Sequence, residues 1–423
     1  MSRFDKVIGY AAIKEQMNMA LDAMYEPEKY KKLGVTVPKG ILLNGVPGVG
    51  KTLFASEFVA ASGRKAFTIR KNKPDGDFVD CIRETFDEAA KNTPSIVFLD
   101  DMDKFANEDQ VHCNAEEYVT IQACIDDVKG KDVFVIATTN DMQRLPASLT
   151  RSGRFDWVFR LCVPDAEDSE KIFSFYLKDK NVDDSIDAAE LARFARGYSC
   201  ASLEKVVNDA GLHAGYAGRE LISQEDLIQS CLRTFYGMKT DEKAFPDATI
   251  RRIAIHEAGH VVISEILSPE SVDFASICCH KRTDSGGLTS YRPNDEDDDT
   301  FEGTEKQIMA ALGGKAATEI VLGETDMGTN RDMRTVFELV RDLIDAHTSY
   351  DFGSWCHGDE TAQSVYESLD RTTAIEVSRY YKKVKQLLIN NRYFLDAVIE
   401  KLYEKKTISY KDLKALSVTR RIA

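Results

Sequence analysis

Hydrophobic positions along this chain follow two rhythms. Gly40-Ile41-Leu42-Leu43-Asn44, Ser95-Ile96-Val97-Phe98-Leu99-Asp100 and the segment 132–140 are short, continuous apolar runs that end in polar tips. Amphipathic stretches such as 80–91 lie between them. Apolar strands alternating with helices predict a parallel sheet covered on both faces, an α/β layout. Beyond residue 164 the strand signals stop, and 167–178, 188–195, 202–217 and 223–235 carry helical spacing. The polar segment 237–247, with Pro246, reads as a linker. From residue 248 the pattern is again mainly helical, interrupted by one β-like patch at 271–291. The expected organisation is an α/β subdomain over 1–163, a helical lid over 164–237, a linker over 238–247 and a mainly α-helical domain over 248–423.

Length agrees with that division, since 423 residues suggest about three units at roughly 150 residues each. The composition, 43% hydrophobic and 30% charged, excludes disorder as a description of the whole chain. A formal charge of −15 argues against a protein built to grip nucleic acid, because phosphate neutralisation needs a basic surface. No run approaches the ~18 apolar residues that span a bilayer, so no transmembrane segment is expected. The first residues lack the apolar core of a signal peptide. Nine cysteines without a C-x-x-C pair read as reduced thiols, and a cytoplasmic location is expected.

The first chemistry lies after the first apolar run. Gly45-Val46-Pro47-Gly48-Val49-Gly50-Lys51-Thr52 matches G-x-x-x-x-G-K-T between a predicted strand and a predicted helix. Gly45, Gly48 and Gly50 let backbone N–H groups turn toward phosphate oxygens, and the helix adds the positive end of its dipole. Lys51 is expected on the β- and γ-phosphates and Thr52 on Mg²⁺. Asp100 ends the second run and can hold hydrated Mg²⁺; Asp101 would polarise the attacking water, and Asn140, at the tip of the third run, would orient it. Together these strand ends imply ATP hydrolysis.

These residues resemble the AAA+ family. Leu149-Thr150-Arg151-Ser152-Gly153-Arg154-Phe155-Asp156 is similar to its arginine-finger segment, which implies that Arg151 and Arg154 reach a nucleotide on a neighbouring subunit of a ring, usually a homo-hexamer. Val7-Ile8-Gly9 resembles the family's adenine-side segment, which places Ile8 at the base. Gly197-Tyr198-Ser199-Cys200-Ala201 resembles its sensor-2 region in the lid, which brings Ala201 to the nucleotide, with Cys200 where a glycine is usual.

The second chemistry is His256-Glu257-Ala258-Gly259-His260, an H-E-x-x-H. On a helix, positions i and i+4 share a face, so His256 and His260 can meet one Zn²⁺. Glu257 can take a proton from the attacking water and later deliver it to the leaving amine. Gly259 costs a helix interior roughly 1 kcal/mol relative to Ala, tolerable where a metal or another backbone packs closely. A third ligand is needed. Ile263 and Ile266 stand where the metzincin pattern would place glycine and histidine, which excludes that class; His280 lies further on in the β-like patch.

The order of motifs resembles the FtsH-type ATP-dependent zinc metalloproteases from about Phe4 to Leu416. That resemblance implies an AAA+ ATPase with a helical lid followed by a zinc metallopeptidase acting on polypeptide substrates. It implies Asp332 as third ligand, in Gly328-Thr329-Asn330-Arg331-Asp332, and Glu319 as a supporting residue that orients a histidine ligand. Three features depart from the family. The usual transmembrane helices are missing. Asp101 stands where a glutamate is usual, one methylene shorter, and a misplacement of about 1 Å can cost roughly 10²-fold in rate. The pore-loop region, residues 71–80, looks shortened, with Phe78 either the remnant of the gripping aromatic or a cap on the core of the next helix. The alternative reading is a nucleotide-gated peptidase or remodelling ATPase with weak ATP hydrolysis.

Overall fold

The computed structural model describes residues 3–35, 37–71, 75–106, 115–151, 153–239, 245–280, 286–291, 300–324, 329–346 and 363–420. The chain divides into two compact units, Met1–Ser223 and Gln224–Ala423.

In the first unit, strands β1 (Gly40–Asn44), β2 (Lys65–Ile69), β3 (Ser95–Leu99), β4 (Val133–Thr139) and β5 (Trp157–Arg160) form a parallel sheet in the order β2-β3-β4-β1-β5. Helices α1 (Ala11–Tyr25), α2 (Pro27–Lys32), α3 (Lys51–Ser62), α4 (Asp75–Lys91) and α5 (Glu116–Asp127) accompany it. The period-2 geometry of strands explains why the central runs are apolar throughout. Leu42, Val97, Leu99, Val135 and Ala137 enter one core with Ile82 and Phe86 of α4 and Tyr118 and Ile121 of α5. Their alternates Ile41, Leu43, Ile96, Phe98, Phe134 and Ile136 enter the other, with Met17 and Leu21 of α1 and Phe54 and Phe58 of α3.

The lid helices α6 (Ala166–Leu177), α7 (Ala188–Phe194) and α8 (Cys200–Tyr216) follow. Asp165 and Asp187 cap the first two by accepting from the backbone N–H of Asp168 and Glu190 (2.8 and 3.0 Å).

The second unit contains α9 (Gln224–Tyr236), β6 (Met238–Lys239), α10 (Asp247–Leu267), β7 (Val272–His280), β8 (Gly286–Tyr291), α11 (Phe301–Leu322), α12 (Asn330–Ala346), α13 (Gln363–Asn390), α14 (Arg392–Lys405), β9 (Thr407–Ser409) and α15 (Tyr410–Arg420). Its core gathers Ala258, Val261 and Val262 of α10, Leu312 and Ala316 of α11, and residues of α12, α13 and α14. β7 pairs antiparallel with β6, β8 and β9, and β8 lies at an edge of this small sheet. Two of the residues read as linker, Met238 and Lys239, form β6, since pairing with β7 satisfies backbone groups that a free linker would leave to water.

The structure corrects one expectation directly. Phe78 is fully buried and meets Phe105 edge-on at 5.0 Å between ring centroids, so it does not line a pore. The reason is the helical period of α4: Phe78, Ile82, Phe86 and Ala89 form one stripe, and all four are buried against the sheet.

Candidate functional sites

The sheet order places the C-terminal ends of β1, β4 and β3 side by side, which gathers residues far apart in sequence. Lys51, at the start of α3, is buried and donates from Nζ to the carbonyls of Gly45 (2.7 Å) and Val46 (2.9 Å). Burial lowers its pKa, against the pull of Asp101, Asp103 and Asp100. Gly48 has φ of +84°, and a Cβ there would meet Ser199 Oγ at 2.7 Å. The loop is thus glycine-dependent for both conformation and approach. Across this contact the N–H of Ala201 donates to the Gly48 carbonyl (3.1 Å), which ties the lid helix to the phosphate loop. Ile8 is half-buried ahead of α1.

Thr52 Oγ1 donates to Asp100 Oδ1 (3.0 Å), so the two oxygen groups expected on Mg²⁺ are adjacent, and Asp100 is only 4% exposed. Hard oxygen donors converging beside a phosphate loop fit Mg²⁺. Asp101 occupies the left-handed region at φ +58°, and its Oδ2 is paired with Lys104 Nζ at 2.6 Å. Asn140 Nδ2 lies 3.4 Å from Asp101 Oδ1.

Two residues were not foreseen. Asp103 is buried and accepts from the Asn140 N–H (2.8 Å) and the Thr139 hydroxyl (3.2 Å), which holds Asn140 in place. Thr138 donates to Asp100 (2.7 Å) and accepts from the Asp101 N–H (2.9 Å). The signal for both was the polar residues at and just beyond two apolar runs.

Arg151 is exposed. Arg154 is engaged within its own chain instead, donating to Asp126 (2.8 Å), Gln122 (2.8 Å) and the Ser148 carbonyl (2.8 Å). Its guanidinium, helped by Lys129, lowers the Asp126 pKa to about 2.

In the second unit, α10 carries His256 and His260 one turn apart, with Nε2 atoms 3.1 Å from each other. Asp332, in the first turn of α12, brings Oδ2 to 3.1 Å from His256 Nε2 and 3.7 Å from His260 Nε2. Among the described residues, these three form a group of ligand atoms all within 4.8 Å of one another. Tetrahedral Zn²⁺ with bonds near 2 Å separates its ligand atoms by about 3.3 Å, so this donor set fits zinc. Burial opposes ionisation of Asp332, but the two histidines beside it win and hold its carboxyl well below the usual range. Gly328 lies outside the described residues, as does the side chain of His280.

His260 Nδ1 donates to the Ala310 carbonyl of α11 (2.8 Å). A carbonyl only accepts, so Nδ1 carries the proton and Nε2 keeps its lone pair for a metal. That bond fills the role expected of Glu319. Glu319 instead pairs with Lys385 (2.7 Å) and with the Tyr381 hydroxyl, both on α13, rather than with a histidine, which corrects the expectation. A carboxylate on this face of α11 is neutralised by the cation facing it.

Glu257 is 5% exposed and accepts from the Thr289 hydroxyl of β8 (2.7 Å). Burial raises its pKa, while His260 and His256 pull the other way. A carboxylate so placed is primed as a proton acceptor. Glycines let α10 and α11 close on the site. A Cβ at Gly314 would fall 2.5 Å from His256 Cε1 and 2.6 Å from His260 Nε2. At Gly259 it would strike the Gly313 carbonyl and come to 2.6 Å of the Ala317 Cβ. Gly259→Ala therefore costs about 1–3 kcal/mol by overpacking despite its better helix propensity, read as a lowered denaturation midpoint; an unchanged or raised midpoint contradicts this packing.

Comparison with known families matches both parts of the chain. Residues 41–163 match the model for the ATPase family associated with various cellular activities, and residues 244–416 match peptidase family M41. The ATP-dependent zinc metalloprotease FtsH 2 of Petrotoga mobilis is 30% identical over 98% of this chain and 70% of its own length. The chain belongs to the FtsH family of ATP-dependent zinc metalloproteases. FtsH 2 of Phytoplasma mali is 28% identical over 98% of the chain, and FtsH of Aster yellows witches'-broom phytoplasma is 29% identical over 99%. The chain spans 62% and 64% of the length of those two FtsH relatives. No helix among its described residues is long and apolar enough to cross a membrane.

Proposed function

We propose that this chain is an ATP-dependent zinc endopeptidase that degrades unfolded or loosely folded polypeptides within a homo-hexameric ring. The observation that carries the reading is the convergence of His256, His260 and Asp332 beside a buried Glu257. Zinc held there supplies a Lewis acid that polarises the scissile carbonyl. Glu257 takes the proton of the attacking water and returns it to the leaving amine, while Thr289 fixes its carboxylate. An extended substrate adds to the sheet at β8, an edge strand among the described residues.

Residues 1–163 form the nucleotide-binding part, 164–237 its lid and 248–423 the peptidase. Lys51 binds phosphate oxygens, Thr52 and Asp100 take Mg²⁺, which neutralises phosphate charge, and Asp101 and Asn140 orient water. Ile8 and Ala201 bound the nucleotide on the base and lid sides. Arg151, which is exposed, reaches the neighbour's nucleotide; Arg154 holds the segment that presents it. Cys81, Cys124, Cys162, Cys200, Cys231 and Cys278 are free thiols, which supports a reducing, cytoplasmic setting.

The test is cleavage of casein by the purified chain with zinc, comparing ATP, ADP and a slowly hydrolysed analogue. Cleavage fastest with ATP is the expected result. Equal cleavage with ATP and the analogue would favour nucleotide gating, the reading that Asp101 supports. No cleavage under any condition would overturn both.

A further inference from the structure

Asp100 is the acid expected on Mg²⁺, and it already has a cation. Its N–H donates to the Ile69 carbonyl at the end of β2 (3.0 Å), and this register sets the next residue, Arg70, beside it. Arg70 Nη2 lies 2.5 Å from Asp100 Oδ2. Oδ1 is taken by Thr52 (3.0 Å) and Thr138 (2.7 Å), so both carboxylate oxygens have donors. The two side chains differ sharply in freedom: that of Asp100 is buried, while that of Arg70 is 62% exposed. A long, exposed side chain can swing away from a buried acid at small cost, since such pairs are screened and pay rotamer entropy to stay formed.

We propose that Arg70 is a resident counter-ion of Asp100 that competes with Mg²⁺ for this acid, so that it is a positioning residue setting how far nucleotide binding depends on Mg²⁺. The inference rests on the nucleotide-site reading above. A guanidinium on Oδ2 takes one of its lone pairs and offsets the acid's charge, so it competes there with a second cation and its water shell. Arg70 thus weakens the Mg²⁺-bound state relative to the Mg²⁺-free one, and it leaves Lys51 and the phosphate loop untouched.

The experiment measures affinity for a fluorescent ADP analogue in Mg²⁺ and in EDTA, for the wild type, Arg70→Ser and Arg70→Lys. The readout is the factor by which Mg²⁺ tightens binding. That factor is expected to rise about three- to fivefold in Arg70→Ser, the equivalent of an exposed ion pair, and to stay within about twofold of wild type in Arg70→Lys. An unchanged or smaller factor in Arg70→Ser overturns the proposal, and so does a factor in Arg70→Lys that rises as far as in Arg70→Ser. A wild-type chain that binds no nucleotide in either buffer overturns the nucleotide-site reading itself, and this inference with it.

Discussion

Replacing Glu257 by glutamine is expected to lower casein cleavage by about 10²–10⁴-fold while zinc stays bound. The amide keeps the size of the side chain and can still meet the Thr289 hydroxyl, which sits 2.7 Å from the carboxylate. What it loses is the capacity to take a proton. Glu257 is not one of the three converging ligand atoms, so metal content should be unaffected. Burial raises its pKa, while His260 and His256 pull the other way. Measuring cleavage and zinc content on the same preparation separates the roles. Loss of both together would make Glu257 a structural residue; retention of cleavage would remove it from the chemistry.

The second large effect is expected in the ATPase site, with the opposite sign. Asp101→Glu should raise phosphate release from ATP by up to about 10²-fold and leave nucleotide affinity within about twofold of wild type. Asp101 begins from a left-handed backbone at φ +58°, its carboxylate is drawn to Lys104 at 2.6 Å, and Asn140 is 3.4 Å away. One more methylene lets the carboxylate reach about 1 Å further from the same backbone. Brisk turnover by the wild type, with no gain in the variant, would show that Asp101 already reaches the water. The alternative of a weak, gating ATPase would then lose its physical basis.

Most of the chemistry was legible because it is local. H-E-x-x-H needs one helix, and the i, i+4 spacing alone brings the two imidazoles together. The phosphate loop needs only a strand, a turn and a helix. The central strands were legible because burial on both faces leaves continuous apolar runs. The edge strand β2 lacks that signal: of Lys65–Ile69 only Ile69 is buried. The partners that orient the sites were also hidden. His260 is aimed by a backbone carbonyl, Ala310, which no side-chain pattern reveals. Glu319 finds Lys385 and Tyr381 more than sixty residues away, a pairing made by tertiary packing. Phe78 was readable in principle, because Phe78, Ile82 and Phe86 already carry the spacing of a buried helical stripe. The resemblance kept a pore-facing reading open beside the core reading, and the helical period decided between them.

The central claim is that Asp332 completes a catalytic zinc site with His256 and His260. Its most direct test is the zinc content of the metal-loaded chain, wild type against Asp332→Ala, measured by mass spectrometry of the metal after gel filtration. The account predicts one zinc per chain in the wild type and little or none in the variant. Undiminished zinc in Asp332→Ala would contradict it.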